Sequence, residues 1–258
     1  MRETVFLAEM SRADYQARVD NGAVVLVPAG ATEQHGNHLP LGVDHLLVTE
    51  VCRRVAEQVQ GVVVPTLTFG YKSQPRSGGG NFHGGNIALD GNTLSLLLRD
   101  VLREIAKGGA RKIAVIDGHF ENAWFLTEGC DLALREFKRE GYDEVKIVKM
   151  MYGDGITQKT LDIIFPDHYP GIDLEHAAVL ETSMMLYLFP DLVDMDLVHD
   201  HGLADFPDYD VYPADPDWIP PSGALAPAER SSVEFGRMLI EEAVELISEA
   251  LNKELQGD

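Results

Sequence analysis

Residues 23–36 read AVVLVPAGATEQHG, an apolar run that passes directly into a polar loop. A second stretch repeats this order, because residues 112–122 read KIAVIDGHFEN. Each run has the length and β-branched composition of a buried strand, and each loop contains glycine, histidine and acidic residues. In open α/β sheets, ligands bind at the carboxyl ends of the strands. The two loops are therefore predicted to meet at one edge of a sheet.

The rest of the chain alternates short apolar runs with segments of helical period. This alternation predicts a layered α/β fold, with a largely parallel central sheet flanked by helices and one domain over residues 1–258. Segment 195–226 is rich in aspartate, proline and aromatic residues, and so long a loop is expected to be functional or to form an oligomer contact. Strands are predicted near 23–28, 62–68, 112–117 and 145–152, and helices over 45–58, 93–107, 122–140, 173–188 and 227–251.

Composition excludes several classes of function. The formal charge of −21 argues against nucleic acid and anionic membranes as partners, because their phosphates would repel the chain. Two cysteines, Cys52 and Cys130, provide neither a disulfide framework nor a thiolate zinc cluster. The N-terminus Met1-Arg2-Glu3-Thr4 is unlike a signal peptide, and no apolar run reaches membrane-spanning length. We therefore expect a cytoplasmic protein.

The polar loops after the two strands carry candidate metal ligands. Glu33, His35 and Asp44 follow the first strand, and His119 and Glu121 follow the other. Alternate residues of an extended segment point the same way, so Glu33 shares a face with His35, as His119 does with Glu121. A single loop histidine or glutamate is usually solvated, so only the joint pattern supports a site. It predicts a metal site, with room for two ions, at the sheet edge.

Two further segments have possible chemical roles. Residues 71–81 contain a glycine triplet whose amides could approach a ligand, although a mobile surface loop is an equal reading. Asp173 can cap the helix predicted over 173–188. His176 would then lie in the first turn, where the helix dipole lowers its pKa and suits it to proton transfer. Glu181, among apolar residues of the same helix, would need a partner if buried.

Together these segments resemble the creatininase (creatinine amidohydrolase) family. The resemblance covers most of the chain, and its motifs occur in a fixed order. It implies a layered α/β domain, a homohexamer, a small cyclic substrate and two divalent ions per chain, Zn²⁺ or Mn²⁺. The matching segments are 30–36, 43–44, 70–73, 77–81, 118–122, 173–176, 181–183 and 206–211.

The resemblance also assigns the ligands. Glu33, Asp44 and His119 are similar in position to the ligands of one ion. His35, Asp44 and Glu121 are similar to those of the other, so Asp44 would bridge the two ions. We expect a metal-bound hydroxide to attack a ring carbonyl of the substrate.

Catalytic and substrate-binding roles follow from the same resemblance. Glu121 would handle the proton of the attacking hydroxide, and His176 would deliver a proton to the departing atom. The residues expected to contact substrate are Ser77, Gly79, Phe120, Asp173, Glu175 and His176.

The chain also departs from the family pattern. Creatininase proper has tryptophan where this chain has Gly153 and Ile172, and tyrosine at Phe120. An aromatic wall would bind the creatinine ring by stacking and cation–π attraction, worth roughly 1–2 kcal/mol. With that wall removed, we expect the metal machinery to be kept and the substrate to change.

Several substrates and roles remain open. A cyclic polyhydroxylated diketone, such as the 3-dehydro-scyllo-inosose of inositol catabolism, would suit a pocket of aspartate, serine, lysine and histidine and would be opened by carbon–carbon hydrolysis. It ranks level with a cyclic amide, and creatinine itself ranks below both, because the pocket rather than the fold decides function. A peptidase-like activity and a non-catalytic metal-binding assembly protein are further alternatives.

Overall fold

Four parallel strands form the centre of the computed structural model, which describes residues 3–199 and 201–257. The strands are β1 (Val25–Ala29), β2 (Val62–Val63), β3 (Lys112–Asp117) and β4 (Lys146–Met151), and they lie in the order β2-β1-β3-β4. β1 and β3 end level with each other, because Ala29 pairs with Asp117. The predicted α/β class with a parallel sheet is confirmed.

Helices cover both faces of this sheet. None of those in the described ranges is both long and apolar enough to cross a bilayer. They are α1 (Arg12–Asp20), α2 (Val43–Val59), α3 (Pro75–Gly78), α4 (Gly91–Lys107), α5 (Ala123–Glu140), α6 (Gln158–Ile164), α7 (Val179–Leu188) and α8 (Val233–Leu251). Short 3₁₀ turns span Leu7–Glu9, Phe120–Asn122, Ile172–Leu174, Pro190–Leu192, Met195–Leu197 and Pro216–Trp218, and a π turn spans Asn252–Gln256.

The alternation of side chains along β1 separates two apolar layers. Leu26 packs in a core with residues of α2, α7 and α8, whereas Val25 and Val27 pack in a second core with residues of α4 and α5. Both faces of the strand are buried, which explains why its sequence is a continuous apolar run rather than an alternating one.

The strand order places a topological switch point between β1 and β3. From β1 the chain passes through α2 to β2 on one side, and it then passes through α4 to β3 on the other side. A crevice therefore opens between the carboxyl ends of β1 and β3. Glycines let these ends approach α2 closely: a Cβ on Gly30 would lie 2.6 Å from the His45 Cα, and one on Gly118 would lie 2.8 Å from the Asp44 carbonyl oxygen.

Three predicted boundaries were wrong. The second strand is only Val62–Val63, and Leu67 adds a single bridge to Ala29. The first turn of the predicted helix over 173–188 is not helical, since α7 begins at Val179 after the N-cap residue Ala178. The last helix begins at Val233, where the Ser232 hydroxyl accepts a hydrogen bond from the Phe235 amide.

Asp173 is therefore not a helix cap and lies in the short turn Ile172–Leu174. The chain between it and α7 includes Ala177 in a left-handed conformation, with φ of 53°. Carboxylates hold this turn, because Glu181 accepts a hydrogen bond from the Ala177 amide at 2.6 Å and Glu175 accepts one from the Leu180 amide at 2.9 Å. Such local bonds outcompete a longer helix.

Candidate metal centre

Side chains from the loop after β1 and from the start of α2 meet at the switch point. Glu33, His35 and Asp44 are each at least 97% buried. The His35 Nε2 lies 3.1 Å from an Asp44 carboxylate oxygen. Asp44 occupies the first turn of α2, where the helix dipole favours an anion.

The loop after β3 and helix α7 complete the cluster. The His119 Nδ1 lies 3.1 Å from carboxylate oxygens of both Glu33 and Asp44. Glu181 lies 3.6 Å from the His35 Nε2 and so has the partner that its burial requires. The side chains form three groups whose ligand atoms lie within 4.8 Å of one another: Glu33, Asp44 and His119; His35, Asp44 and Glu181; and Glu33, His35 and His176.

The polar atoms of this cluster are better arranged to coordinate divalent ions than to form hydrogen bonds with one another. Glu33 Oε2, His35 Nε2 and Asp44 Oδ2 are buried without a hydrogen-bond partner. Each would carry a desolvation cost of about 1–3 kcal/mol if it stayed unsatisfied. Atoms that converge without hydrogen-bond geometry have the arrangement of ligands around a shared cation, and nitrogen with oxygen donors suits zinc and manganese.

The titration behaviour of the cluster reflects its carboxylates. Burial lowers the pKa of His35, yet the neighbouring Glu181 and Asp44 carboxylates outweigh burial and hold that pKa well above its usual value. The pKa of His119 is raised in the same way, against burial, by Glu33 and Glu121. Burial raises the pKa of Asp44, but the two imidazoles overcome it and keep this pKa well below its usual range. The raised pKa of each histidine and the lowered pKa of Asp44 share one cause, the close approach of imidazole and carboxylate groups in a buried site.

Glu121 lies next to this cluster but in a different environment. One of its carboxylate oxygens accepts hydrogen bonds from the Ser77 hydroxyl at 2.7 Å and the Gln74 amide at 2.9 Å. The other lies 3.4 Å from His119 Nε2. The extended geometry predicted for His119 to Glu121 was wrong, because Phe120–Asn122 form a 3₁₀ turn. Glu121 belongs to none of the three groups, so its assignment as a metal ligand stays a prediction.

His176 lies at the inner wall of the site. It precedes α7 by three residues, so the helix dipole does not act on it; burial and then the nearby His35 lower its pKa to about 4. Its Nε2 lies 2.9 Å from the Gln34 carbonyl oxygen, and its Nδ1 lies 3.8 Å from Glu33. A neutral imidazole that donates from Nε2 leaves the Nδ1 lone pair directed towards the cluster.

Gln34 is a structural residue of the site that the sequence prediction missed. Its side-chain amide donates to the carbonyl oxygens of Gly78 and Gly223, at 3.2 and 3.0 Å. Gly79, in a left-handed conformation, packs against this amide. The available signal in the sequence was the position of Gln34 between two candidate ligands, Glu33 and His35. Segment 195–226 thus supports the site through Gly223, although its Asp200 lies outside the described residues.

The loop that contains the glycine triplet uses its amides for hydrogen bonds within the loop. The amides of Gly78 and Gly80 both donate to the Gln74 carbonyl oxygen, at 2.8 and 3.1 Å. These two amides are therefore not free to bind a substrate, which differs from the prediction that amides of this loop approach a ligand. Ser77 does face the crevice, whereas Asp173 lies in an adjoining surface depression that Ser77 and Phe120 also line. The substrate contacts of Gly79 and Asp173 stay predictions.

A pocket extends outward from the cluster and encloses about 600 Å³, including its open mouth. Glu175 and His176 line it, together with Phe120, Gly153 and Ile172. Of the residue types expected for a polyol pocket, Asp44, Ser77, His119 and His176 line this pocket and no lysine in the described ranges does, while most of the wall away from the candidate ligands is apolar. The other apolar residues of the wall are Met151, Ile156, Leu180 and Met184.

A parallel α/β sheet with buried metal-binding groups at its switch point is typical of a metal-dependent enzyme. A family model described as creatinine amidohydrolase matches residues 8–251. The chain belongs to the creatininase family. It is 45% identical to a creatinine amidohydrolase of Pseudomonas putida over 256 residues, and the matched residues cover 98% of each chain. It superimposes on a crystal structure of creatinine amidohydrolase with a TM-score of 0.97, at 44% identity and over 98% and 99% of the two chains.

Related structures show which metals this family of sites accepts. Creatininase structures include a manganese form and a zinc–zinc type, each 44% identical to this chain. The present chain has the clustered histidine, glutamate and aspartate groups that could hold such ions. A 3-dehydro-scyllo-inosose hydrolase of Thermotoga maritima is only 25% identical, over 74% of this chain and 58% of its own length. The comparisons therefore favour creatinine amidohydrolase, the reading that had been ranked lower.

Proposed function

We propose that this enzyme hydrolyses a cyclic amide of the creatinine type. The observation that carries the proposal is the convergence of unsatisfied buried atoms from Glu33, His35 and Asp44 beside an apolar pocket. The similarity to the Pseudomonas putida enzyme supports the reaction type. An apolar wall would leave the hydroxyl groups of a polyhydroxylated diketone without partners, which argues against that substrate.

The proposed ligands of the first ion are Glu33, Asp44 and His119. For the second we propose His35, Asp44 and Glu181, with Asp44 shared between the ions. The grouping of these side chains supports Glu181 as a ligand in place of Glu121. A pair of divalent ions at this place would lower the pKa of a water molecule and polarise a substrate carbonyl.

The remaining residues bind the substrate and move its protons. In the hydrolysis, the oxygen of water bonds to the carbonyl carbon, the ring carbon–nitrogen bond breaks, and one proton ends on the departing nitrogen. Glu121, oriented by Ser77 and Gln74, would accept a proton of the water. The Nδ1 lone pair of His176 would take up this proton from Glu121 and deliver it to the departing nitrogen. Ser77, Gly79, Phe120, Asp173 and Glu175 are the proposed substrate contacts.

The direct test uses the full chain loaded with Zn²⁺ or Mn²⁺ and incubated with creatinine. We expect about two ions per chain and formation of creatine, with loss of turnover after treatment with a chelator. Recovery on addition of either metal is the control for irreversible damage. Metal-loaded protein that opens no cyclic amide would contradict the proposal, and turnover of the diketo-inositol alone would restore the alternative substrate.

We also propose that residues 1–258 act as one hydrolase domain, in the cytoplasm and as a homo-oligomer of six chains. Trp124 and Tyr212 are at least 80% exposed, which supports a contact between chains. Both cysteines are free thiols, which is consistent with a reducing compartment. Light scattering should give a mass near six times 28.4 kDa, and a monomer would contradict the assembly.

A further inference from the structure

The pocket beside the metal centre has two chemically different sides. One side consists of the candidate ligands, and the other is formed by apolar residues of the chain after β4 and of α7. Gly153 and Ile156 come from the first of these segments, and Leu180 and Met184 from the second. Met184 is 2% exposed and packs in the core, so this apolar side is a fixed wall.

Gly153 leaves space that neither the backbone nor the packing requires. Its backbone is outside the left-handed region, so an L-residue could adopt the same conformation. A Cβ at this position would meet only the Ile156 Cδ1, at 3.9 Å. Gly79 provides the contrast: its φ is 68°, and a Cβ there would lie 2.6 Å from the Gly223 carbonyl oxygen. The consequence of glycine at 153 is therefore an open volume at the apolar side of the pocket.

An open apolar volume next to a reactive centre favours substrates that fill it with carbon. A methyl group on a five-membered ring would leave much of that space to water. A larger apolar substituent would displace this water and contact the Ile156 and Met184 side chains. In a hydrophobic pocket one methylene changes the relative kcat/KM by roughly 10-fold or more.

We propose that the preferred substrate is a cyclic amide with an apolar substituent of isobutyl to benzyl size, which occupies the space beside Gly153 against Ile156 and Met184. The proposal rests on the cyclic-amide hydrolysis described above and specifies its substrate class. The amide carbonyl lies towards the metal centre, and the substituent lies along the apolar wall.

The test is a series of creatinine analogues with hydrogen, methyl, isobutyl or benzyl at the ring nitrogen or at the ring methylene carbon. With the metal-loaded full chain, we expect kcat/KM to rise at least 10-fold from methyl to isobutyl or benzyl at one of these positions. The gain should appear mainly in KM, because the added contacts are equal in the ground and transition states.

Filling the space should reverse this preference. Gly153→Phe should lower the benzyl-to-methyl ratio of kcat/KM by at least 10-fold, and the smaller Gly153→Ala change should lower it partway. Gly84→Phe is the matched control, because Gly84 is also outside the left-handed region, has nothing within 4 Å of an added Cβ and does not line the pocket. We expect that control to leave the ratio unchanged. Thermal unfolding shows which variants fold. If Gly153→Phe does not fold, Gly153→Ala still tests the inference.

The outcomes separate this inference from the proposed function. The inference is overturned if creatinine is hydrolysed faster than every larger analogue and the Gly153 variants leave the benzyl-to-methyl ratio of kcat/KM unchanged. That result would leave the proposal of cyclic-amide hydrolysis intact. If no analogue is hydrolysed, the proposed function fails. Calorimetric binding of the benzyl analogue, weakened at least 10-fold by Gly153→Phe and partway by Gly153→Ala, would then still support the apolar subsite, and binding equal to that of the methyl analogue would overturn it.

Discussion

Helix α2 holds two carboxylates in opposite ways. Glu50 accepts hydrogen bonds from Arg53 at 2.7 Å and from Arg54 at 2.8 Å, so side-chain cations neutralise it. Asp44, two turns earlier, is buried between His35 and His119, and its Oδ2 has no hydrogen-bond partner. Two acidic side chains of the same helix thus differ: Glu50 has its hydrogen-bond partners within the chain, whereas Asp44 has an oxygen without one. Incomplete pairing at a switch point indicates a ligand from outside the chain.

The difference extends to the whole metal centre. Within residues 3–199 and 201–257, no lysine or arginine forms an ion pair with Glu33, Asp44 or Glu181. Their close neighbours are instead the imidazoles of His35 and His119. Divalent ions at this place would balance these acids more fully than imidazoles can, and their binding would release protons from the cluster.

The largest difference should appear when Asp44 and Glu50 are neutralised one at a time. Asp44→Asn should remove at least one ion and lower kcat/KM by roughly 10³-fold or more, because the ions contribute several kcal/mol to the transition state. Glu50→Gln, the matched control on α2, should keep both ions and its activity. Metal analysis and creatinine turnover measure both effects, and an active Asp44→Asn protein with two ions would break the comparison.

Neutralising Glu181 should change the metal content of the enzyme, whereas neutralising Glu121 should change its kcat. Glu181→Gln should leave about one ion per chain, whereas Glu121→Gln should keep two ions and lose roughly 10²- to 10⁴-fold in kcat, as expected for a group that transfers a proton. Metal content, measured beside kcat, decides between them. One ion in Glu121→Gln and two in Glu181→Gln would instead support the ligand set implied by the family resemblance.

Removal of metal should lower stability in a way that depends on Asp44. Each ion at about 100 times its dissociation constant stabilises the folded state by roughly 2.7 kcal/mol, so two ions correspond to about 10–20 °C in Tm for a chain of this size. Chelation should lower Tm by that amount in the wild type and in Glu50→Gln. It should have little effect in Asp44→Asn. An equal loss in all three proteins would show that the ions bind elsewhere.

The smallest effect concerns Glu50 and pH. Burial raises the pKa of Glu50, but the hydrogen bonds from Arg53 and Arg54 outweigh it and lower this pKa below 4.5. A lowered folded-state pKa means that the stabilisation is present above about pH 4.5 and is lost as the pH falls through the folded value. Glu50→Gln should therefore cost up to about 1 kcal/mol of unfolding free energy at pH 7. Denaturant titrations should show this difference shrinking below pH 4.5, and a constant difference would contradict it.

The sequence predicted what depends on local pattern. The apolar runs predicted β1 and β3, and the polar loops after them predicted that Glu33, His35 and His119 would lie together. The start of α7 was wrong because Glu175 and Glu181 bind backbone amides there, a choice that depends on tertiary packing. The apolar pocket wall was also missed, because it combines segments about 30 residues apart that only the fold brings together.

The hydrogen bonds of Gln34 have a consequence for biosynthesis. This side chain joins the loop after β1 to Gly78 and to Gly223, so the last of its partners is made long after the first. A ribosome adds roughly 5–20 residues per second, so this delay amounts to about 7–30 s. During translation the acidic loop must wait for the distal third of the chain, and a prematurely terminated polypeptide would retain the ligand sequence without the frame that orients it.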